Sequence, residues 1–249
     1  MQTNCQNLLL NEKPFSIQRQ SSRRLRDFID CKPNYFFCKR IFDLVFSFLI
    51  IVFILSWVMP ILALVIKIDS RGPVFFRQKR VGRGGKIFPC IKFRTMRQNL
   101  EADFQQAVEN DSRITAIGKF LRKSSIDELP QFINVFLGQM CVIGPRPHMM
   151  SDCIRFSEVI SGYKFRNMLK PGITGLAQIK GYRGPTHDST SIVRRFQYDA
   201  FYVRNSNFWL DLRILRTTIV QMSVIIFNKA RKLRSGEQQK GSDYEKIAA

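Results

Sequence analysis

Histidine is nearly absent from this 249-residue chain. The two present, His148 and His187, rule out a histidine-rich metal centre. Acids are scarce as well: 19 Asp and Glu stand against 40 Lys and Arg, a formal net charge of +21. Such a surplus calls for an anionic partner, whether nucleic acid, anionic lipid or a phosphorylated substrate. No helix-turn-helix, zinc-finger or stacking-platform signature is present, so nucleic acid is not expected as the partner. The six cysteines form neither a CxxC pair nor a dense scaffold and read as reduced, cytoplasmic thiols. There is no P-loop and no dinucleotide fingerprint. A cleaved signal peptide is not expected, because the one long apolar run starts too late, runs too long and lacks a small-residue cleavage site.

Leu44 to Ile66 carries no charge at all. It exceeds the ~20 apolar residues that a helix needs to cross a bilayer, and the sequence predicts a membrane-embedded helix here. Met59 and Pro60 lie inside it, and a proline kinks or breaks a helix. Both flanks are basic, with Lys39 and Arg40 before the run and Lys67 and Arg71 after it, so charge bias selects no orientation. Two topologies fit: a kinked spanning helix, or a helix that enters, bends at Pro60 and leaves on the same face. Upstream, Tyr35 to Phe42 mixes aromatic rings with Lys39 and Arg40, an interfacial composition.

After the run, Val74–Phe76 and Lys86–Phe93 read as strands joined by a basic hairpin at Gly82, Gly84 and Gly85. Alternation along the second strand would aim Lys92 and Arg94 from one face, as a phosphate clamp or as a lipid-facing pair. Residues 97–110 are polar and helical by pattern. In SSIDELPQFINVFLGQM, Asp127 and Glu128 open an amphipathic helix with Pro130 in its first turn. By pattern alone these carboxylates cap a helix and compensate its dipole; amid basic groups they also suit metal-assisted phosphoryl chemistry. Gly144-Pro145-Arg146-Pro147 is a rigid turn presenting Arg146, whose guanidinium could fork onto two phosphate oxygens or pair with a nearby acid. A loop at Gly181–Thr186 offers Arg183 as a further anion contact. The last helix spans about Phe208 to Phe227, with Leu212, Leu215 and Ile219 on one stripe and an uncharged part too short to cross a membrane.

The blocks RGPVFFRQKRVG, KFRTM, SSIDELPQFINVFLGQM, GPRP, KPGITGLAQIKGYRG and FWLDLRIL, in this order over about Phe36 to Phe227, resemble the catalytic core of bacterial sugar transferases, the monotopic polyprenyl-phosphate phosphoglycosyl transferases. That resemblance implies transfer of a sugar 1-phosphate from a UDP-sugar to undecaprenyl phosphate with release of UMP, the step that initiates exopolysaccharide, capsule or O-antigen type glycans. It implies Asp127 as nucleophile, Glu128 as its catalytic partner and Mg²⁺ ligand, and Arg146, with Lys92, Arg94, Arg113 and Arg183, as phosphate and donor contacts. It makes Met59-Pro60 the bend of a re-entrant helix, where the family often has Ser-Pro. The compact form and the GYRG block resemble the hexose-transferring exopolysaccharide branch, with glucose or galactose as cargo.

The expected fold class is therefore α/β: a monotopic membrane protein with a Pro-broken re-entrant membrane helix, a small β-hairpin and amphipathic interfacial helices around the active site. The expected organisation is a basic N-terminal segment at 1–34, an interfacial and re-entrant helix at 35–67, a cytoplasmic catalytic domain at 68–228 and a polar tail at 229–249. The expected location is the bacterial inner membrane, on anionic lipids, with a homodimer possible but specified by no motif. The competing reading is a non-catalytic basic membrane protein that recruits a polysaccharide assembly complex.

Overall fold

The computed structural model describes residues 31–97, 111–184 and 188–235, with backbone only from residue 225. The helix expected over 97–110 lies almost entirely outside the described residues, as do most of the N-terminal segment and the end of the tail. Cys38, Cys90, Cys141 and Cys153 are free thiols, as expected; Cys31, in contrast, is disulfide-bonded.

One helical run dominates the N-terminal part. Helix α1 (Pro33–Ile50) starts with a proline in its first turn, where the missing N–H costs nothing. A π-helical turn at Ile51–Leu55 links it to α2 (Ser56–Asp69). The register slip precedes Met59 and Pro60, and the helix continues through the proline to Asp69. Such a slip is one way that a helix absorbs a broken hydrogen-bond ladder. By length and composition the run can cross a membrane, and only 11% of its most apolar window is buried inside the protein. Phe53, Trp57, Ile61 and Ile68 stand exposed, whereas Leu55 and Ile66 pack on Phe93 and Leu121.

The same domain grips both ends of that run. At the start, Asp43 accepts the Val142 N–H at 2.8 Å and Arg40 donates to the Val135 and Phe136 carbonyls at 2.8 and 2.9 Å. At the end, Asp69 accepts the Ile117 N–H at 3.3 Å. Arg94 donates to the Arg71 and Ser70 carbonyls at 2.9 and 2.6 Å.

Strands β1 (Phe75–Val81) and β2 (Ile87–Phe93) form the antiparallel hairpin, longer on its first arm than the sequence pattern implied. Its tip needs Gly84 and Gly85 at φ of 65° and 80°, a region that side chains resist. Helix α3 (Ala116–Ser124) and a 3₁₀ turn at Ile126–Glu128 precede α4 (Gln131–Phe136). A two-stranded parallel pair joins β3 (Cys141–Ile143) to β4 (Gly172–Thr174). Their approach is so close that a Cβ on Gly172 would overlap the Gly144 nitrogen. Helices α5 (Met150–Val159), α6 (Leu176–Ile179), α7 (Ser189–Asn205) and α8 (Phe208–Ser235) complete the fold. Helix α8 thus runs beyond residue 229, where the sequence pattern suggests a tail.

The main core gathers Phe132 and Val135 of α4, Ile143 of β3, Tyr202 and Val203 of α7 and Ile214 of α8. A buried polar knot ties α8 to the membrane helix. Asp211 accepts from Tyr35 at 2.9 Å, from Lys39 at 2.5 Å and from Tyr202 at 2.5 Å. This knot gives the Asp of FWLDLRIL a structural role.

Candidate active site

The short turn after α3 creates the site. Ser125 takes a left-handed backbone (φ 58°), the one non-glycine among the described residues to do so. Its carbonyl accepts the Glu128 N–H at 3.2 Å, so the turn folds tightly and Asp127 and Glu128 point inward, 8% and 7% exposed. The sequence pattern places these acids in the first turn of a helix; instead they form a separate 3₁₀ turn, and Pro130 caps the helix that follows. Asn134 fixes this unit to the hairpin. Its amide accepts from Ile91 N at 2.9 Å and donates to the Pro89 carbonyl at 2.8 Å.

Glu128 is held by cations from three elements. Lys92 of β2 meets Oε1 at 2.9 Å, Arg146 meets the same oxygen at 2.7 Å and Oε2 at 3.3 Å, and Arg183 reaches Oε2 at 3.5 Å. Burial would raise its pKa, but Arg146 and Lys92 more than offset that and hold it well below the usual carboxylate range. Asp127 has no hydrogen bond or ion pair at its carboxylate among the described residues. Burial, with the neighbouring Glu128 charge, pushes it up to about 6, against the pull of Lys92, Arg122 and Arg146. Adjacent carboxylates with pKa values driven apart suit different chemical roles: one a permanently charged, neutralised anchor, the other an unengaged oxygen nucleophile or base.

Of the other expected contacts, Arg94 and Arg113 do not join this cluster. Arg94 follows the last residue of β2, so strand alternation no longer governs it; its guanidinium fastens the end of α2 instead. Arg113 forks onto Asp111 at 2.7 and 2.9 Å. Met59 and Pro60 lie in the apolar helix.

Several side chains that hold the candidate site in place escaped the sequence reading. Arg166 and Asp199, 3% and 2% exposed, pair at 2.8 Å, and Arg166 donates to the Arg146 carbonyl at 2.6 Å. Arg80 donates to the Pro147 carbonyl at 2.7 Å, and Arg195 to the Gly184 carbonyl at 2.5 Å. Three guanidinium groups, those of Arg166 and Arg195 buried and that of Arg80 partly so, therefore hold the backbones beside Arg146 and Arg183. The available signal was charge on an apolar helix face: Arg195 and Asp199 share the Ile192–Val203 stripe of α7. Arg122, bound to Thr95 Oγ1 at 2.9 Å, also faces Asp127 electrostatically.

No group of three or more metal-ligating side chains exists among the described residues. Mg²⁺ commonly takes one or two carboxylates and completes its shell with water and substrate phosphate. Glu128, whose Oε2 is only weakly contacted, is the carboxylate here that would supply such a ligand.

The family described as bacterial sugar transferase matches residues 34–224. A Klebsiella pneumoniae protein named UDP-glucose:undecaprenyl-phosphate glucose-1-phosphate transferase is 47% identical over 183 residues, 73% of this chain and 39% of that protein. A Rhizobium leguminosarum exopolysaccharide production protein, PSS, is 43% identical over 73% of this chain and 93% of its own length. A Salmonella typhimurium undecaprenyl-phosphate galactose phosphotransferase is 39% identical over 73% of this chain and 40% of that protein. The chain thus spans less than half of the first and third of these relatives. The matched region contains the Asp127–Glu128 turn, the Arg146 loop and the apolar helix, and the chain belongs to the bacterial sugar transferase family.

Proposed function

We propose that this protein transfers a hexose 1-phosphate from a UDP-sugar to undecaprenyl phosphate through a covalent intermediate on Asp127. In the first step an Asp127 carboxylate oxygen forms a bond to the β-phosphorus. The bond from that phosphorus to the bridging oxygen breaks, and UMP leaves with the electron pair. In the second step a lipid phosphate oxygen attacks the same phosphorus. The acyl-phosphate bond breaks, the Asp127 carboxylate is restored and undecaprenyl diphosphate-sugar is formed. The observation that carries this reading is the contrast within the acid pair: Glu128 is neutralised by Lys92, Arg146 and Arg183, while Asp127 beside it stays unengaged.

An anionic nucleophile must approach an anionic diphosphate. Lys92, Arg146 and Arg183 supply the positive field that offsets this repulsion and the charge that builds on UMP. Bound by Glu128, Mg²⁺ would add Lewis-acid polarisation of the phosphoryl oxygens. Glucose and galactose are the proposed cargo, in keeping with the names of several relatives; an N-acetylgalactosamine transferase also matches.

The apolar run is proposed to be re-entrant, with the catalytic domain on the cytoplasmic face of the inner membrane. Support comes from Asp43 and Asp69, which anchor the two ends of the run to one domain. Ends on opposite sides of a ~30 Å hydrocarbon layer could not both reach it. Site-directed labels before Phe42 and after Lys67 should react from the same side; opposite-side reactivity would refute the topology. For the chemistry, UMP release is measured with UDP-glucose, UDP-galactose and N-acetylated UDP-sugars in the presence of undecaprenyl phosphate. Asp127→Asn should abolish both turnover and the labelled phospho-sugar enzyme. Full turnover in that variant would remove Asp127 as nucleophile, and absence of UMP release from every donor would favour a recruiting role.

A further inference from the structure

Basic side chains converge at the end of α4, beyond the far end of the hairpin from Lys92. Gly138 closes α4 with a φ of +80°, and a Cβ built there would lie 3.3 Å from Arg40 Nη2 and 3.6 Å from Lys170 Nζ. Both charged groups therefore approach one point. Arg83 lies in the hairpin tip, which packs on Tyr163–Met168 just before Lys170, and it repels Lys170 alongside Arg40. Arg40 is engaged by helix-end carbonyls. Lys170 and Arg83 have no hydrogen-bond or ion-pair partner among the described residues. Asp43 is the acid facing Lys170, and its Oδ1 is taken by the Val142 N–H. Nearby Lys39 is matched by Asp211. The fold thus gathers half-buried positive charge from Arg40, Lys170 and Arg83 in excess of the one acid, Asp43, that faces it. Burial lowers the pKa of both Lys170 and Arg83, and the Arg40 and Arg83 charges push Lys170 the same way against the pull of Asp43.

The location defines the missing anion. Arg40 lies in the aromatic–basic stretch that leads into the apolar helix, beside exposed Phe37 and Ile41. An anion reaching this point from the apolar side would carry hydrocarbon. We propose that Arg83, Lys170 and Arg40 form a phosphate-binding site for a membrane lipid headgroup, separate from the Asp127–Glu128 centre. The cations paired with Glu128 among the described residues are Lys92, Arg146 and Arg183, and Arg40, Lys170 and Arg83 are not among them. The site holds a lipid phosphate against the domain at the mouth of the membrane helix, and it stands independently of the proposed transfer chemistry.

The test uses the full chain in phosphatidylcholine nanodiscs doped with either phosphatidylglycerol, a phosphodiester, or undecaprenyl phosphate, a phosphomonoester. Native mass spectrometry counts the retained lipid. Arg83→Gln/Lys170→Gln should weaken retention on the order of tenfold, since each charge-assisted hydrogen bond is worth enough to matter at that scale. Lys119→Gln/Lys123→Gln on α3 removes the same charge and should leave retention unchanged. Arg83→Lys/Lys170→Arg should preserve it, which separates lost contacts from lost folding. Retention of the monoester alone assigns the site to the acceptor, and retention of both assigns it to general headgroups. Equal loss in the two charge-removing variants overturns the site, because bulk attraction would then suffice. UMP release in a single turnover without acceptor should be normal in Arg83→Gln/Lys170→Gln, so a failure here is distinguishable from a failure of the transfer reading.

Discussion

Asp127→Asn should stabilise the protein while it abolishes the proposed transfer. The Asp127 carboxyl is pushed from its ordinary 3.8 up to about 6, chiefly by burial. A raised acid pKa means that the folded state disfavours the charge. Between those two values the folded protein holds a proton that the unfolded chain has lost, so stability falls as pH rises through this window. The penalty is absent below 3.8, about half developed near pH 5 and complete above about 7. At 1.36 kcal/mol per pKa unit the full penalty is about 3 kcal/mol. Asn keeps the shape and removes the charge, so it should recover most of this at pH 8 and almost none at pH 4. For a chain of this size that corresponds to roughly 6–12 °C in Tm. The assay is thermal unfolding of wild type and variant in one detergent across pH 4–8. A Tm difference that does not grow with pH, or a variant less stable than wild type at pH 8, would refute the reasoning, because Asp127 would then not be a destabilised charge.

The same titration sets the rate of the first half-reaction. Single-turnover UMP release should rise about tenfold per pH unit below about 6 and level off above it. Lys92→Gln removes the largest cationic pull on Asp127 and should move that inflection upward, as read from the pH–rate profile. Asp199→Asn strands the Arg166 charge, 3% exposed, and should cost roughly 3–5 kcal/mol. Denaturant unfolding measures that loss, and an unchanged midpoint would contradict it. Gly172→Ala cannot seat its methyl without separating β3 from β4, so expression as folded, monodisperse protein should fail. A well-folded Ala variant would show that the parallel pair is more pliable than its geometry indicates.

The hairpin could be read from sequence because local chemistry specifies it: glycines that take positive φ, flanked by apolar residues. The Asp127–Glu128 pair could be placed but its backbone could not. Ser125 in a left-handed conformation has no composition signal, and it is what turns an apparent helix start into a separate 3₁₀ turn. Lys92 and Arg94 show the limit of period-two reasoning. The strand ends at Phe93, so one base turns to Glu128 and the other to the carbonyls ending α2. Arg166 and Asp199, 33 residues apart, meet only through tertiary packing, and no local pattern announces the pair.

The Asp43–Val142 bond also has a consequence for biosynthesis. Its partners are 99 residues apart, and the acid is made first. At about 5–20 residues per second, Asp43 waits roughly 5–20 seconds for that backbone N–H to be made. During that interval the apolar helix is complete and its catalytic domain is not. The apolar helix is therefore made well before the backbone that clasps its start. A chain stalled before Val142 would leave the Asp43 carboxylate without the N–H that fixes the start of the helix to the domain.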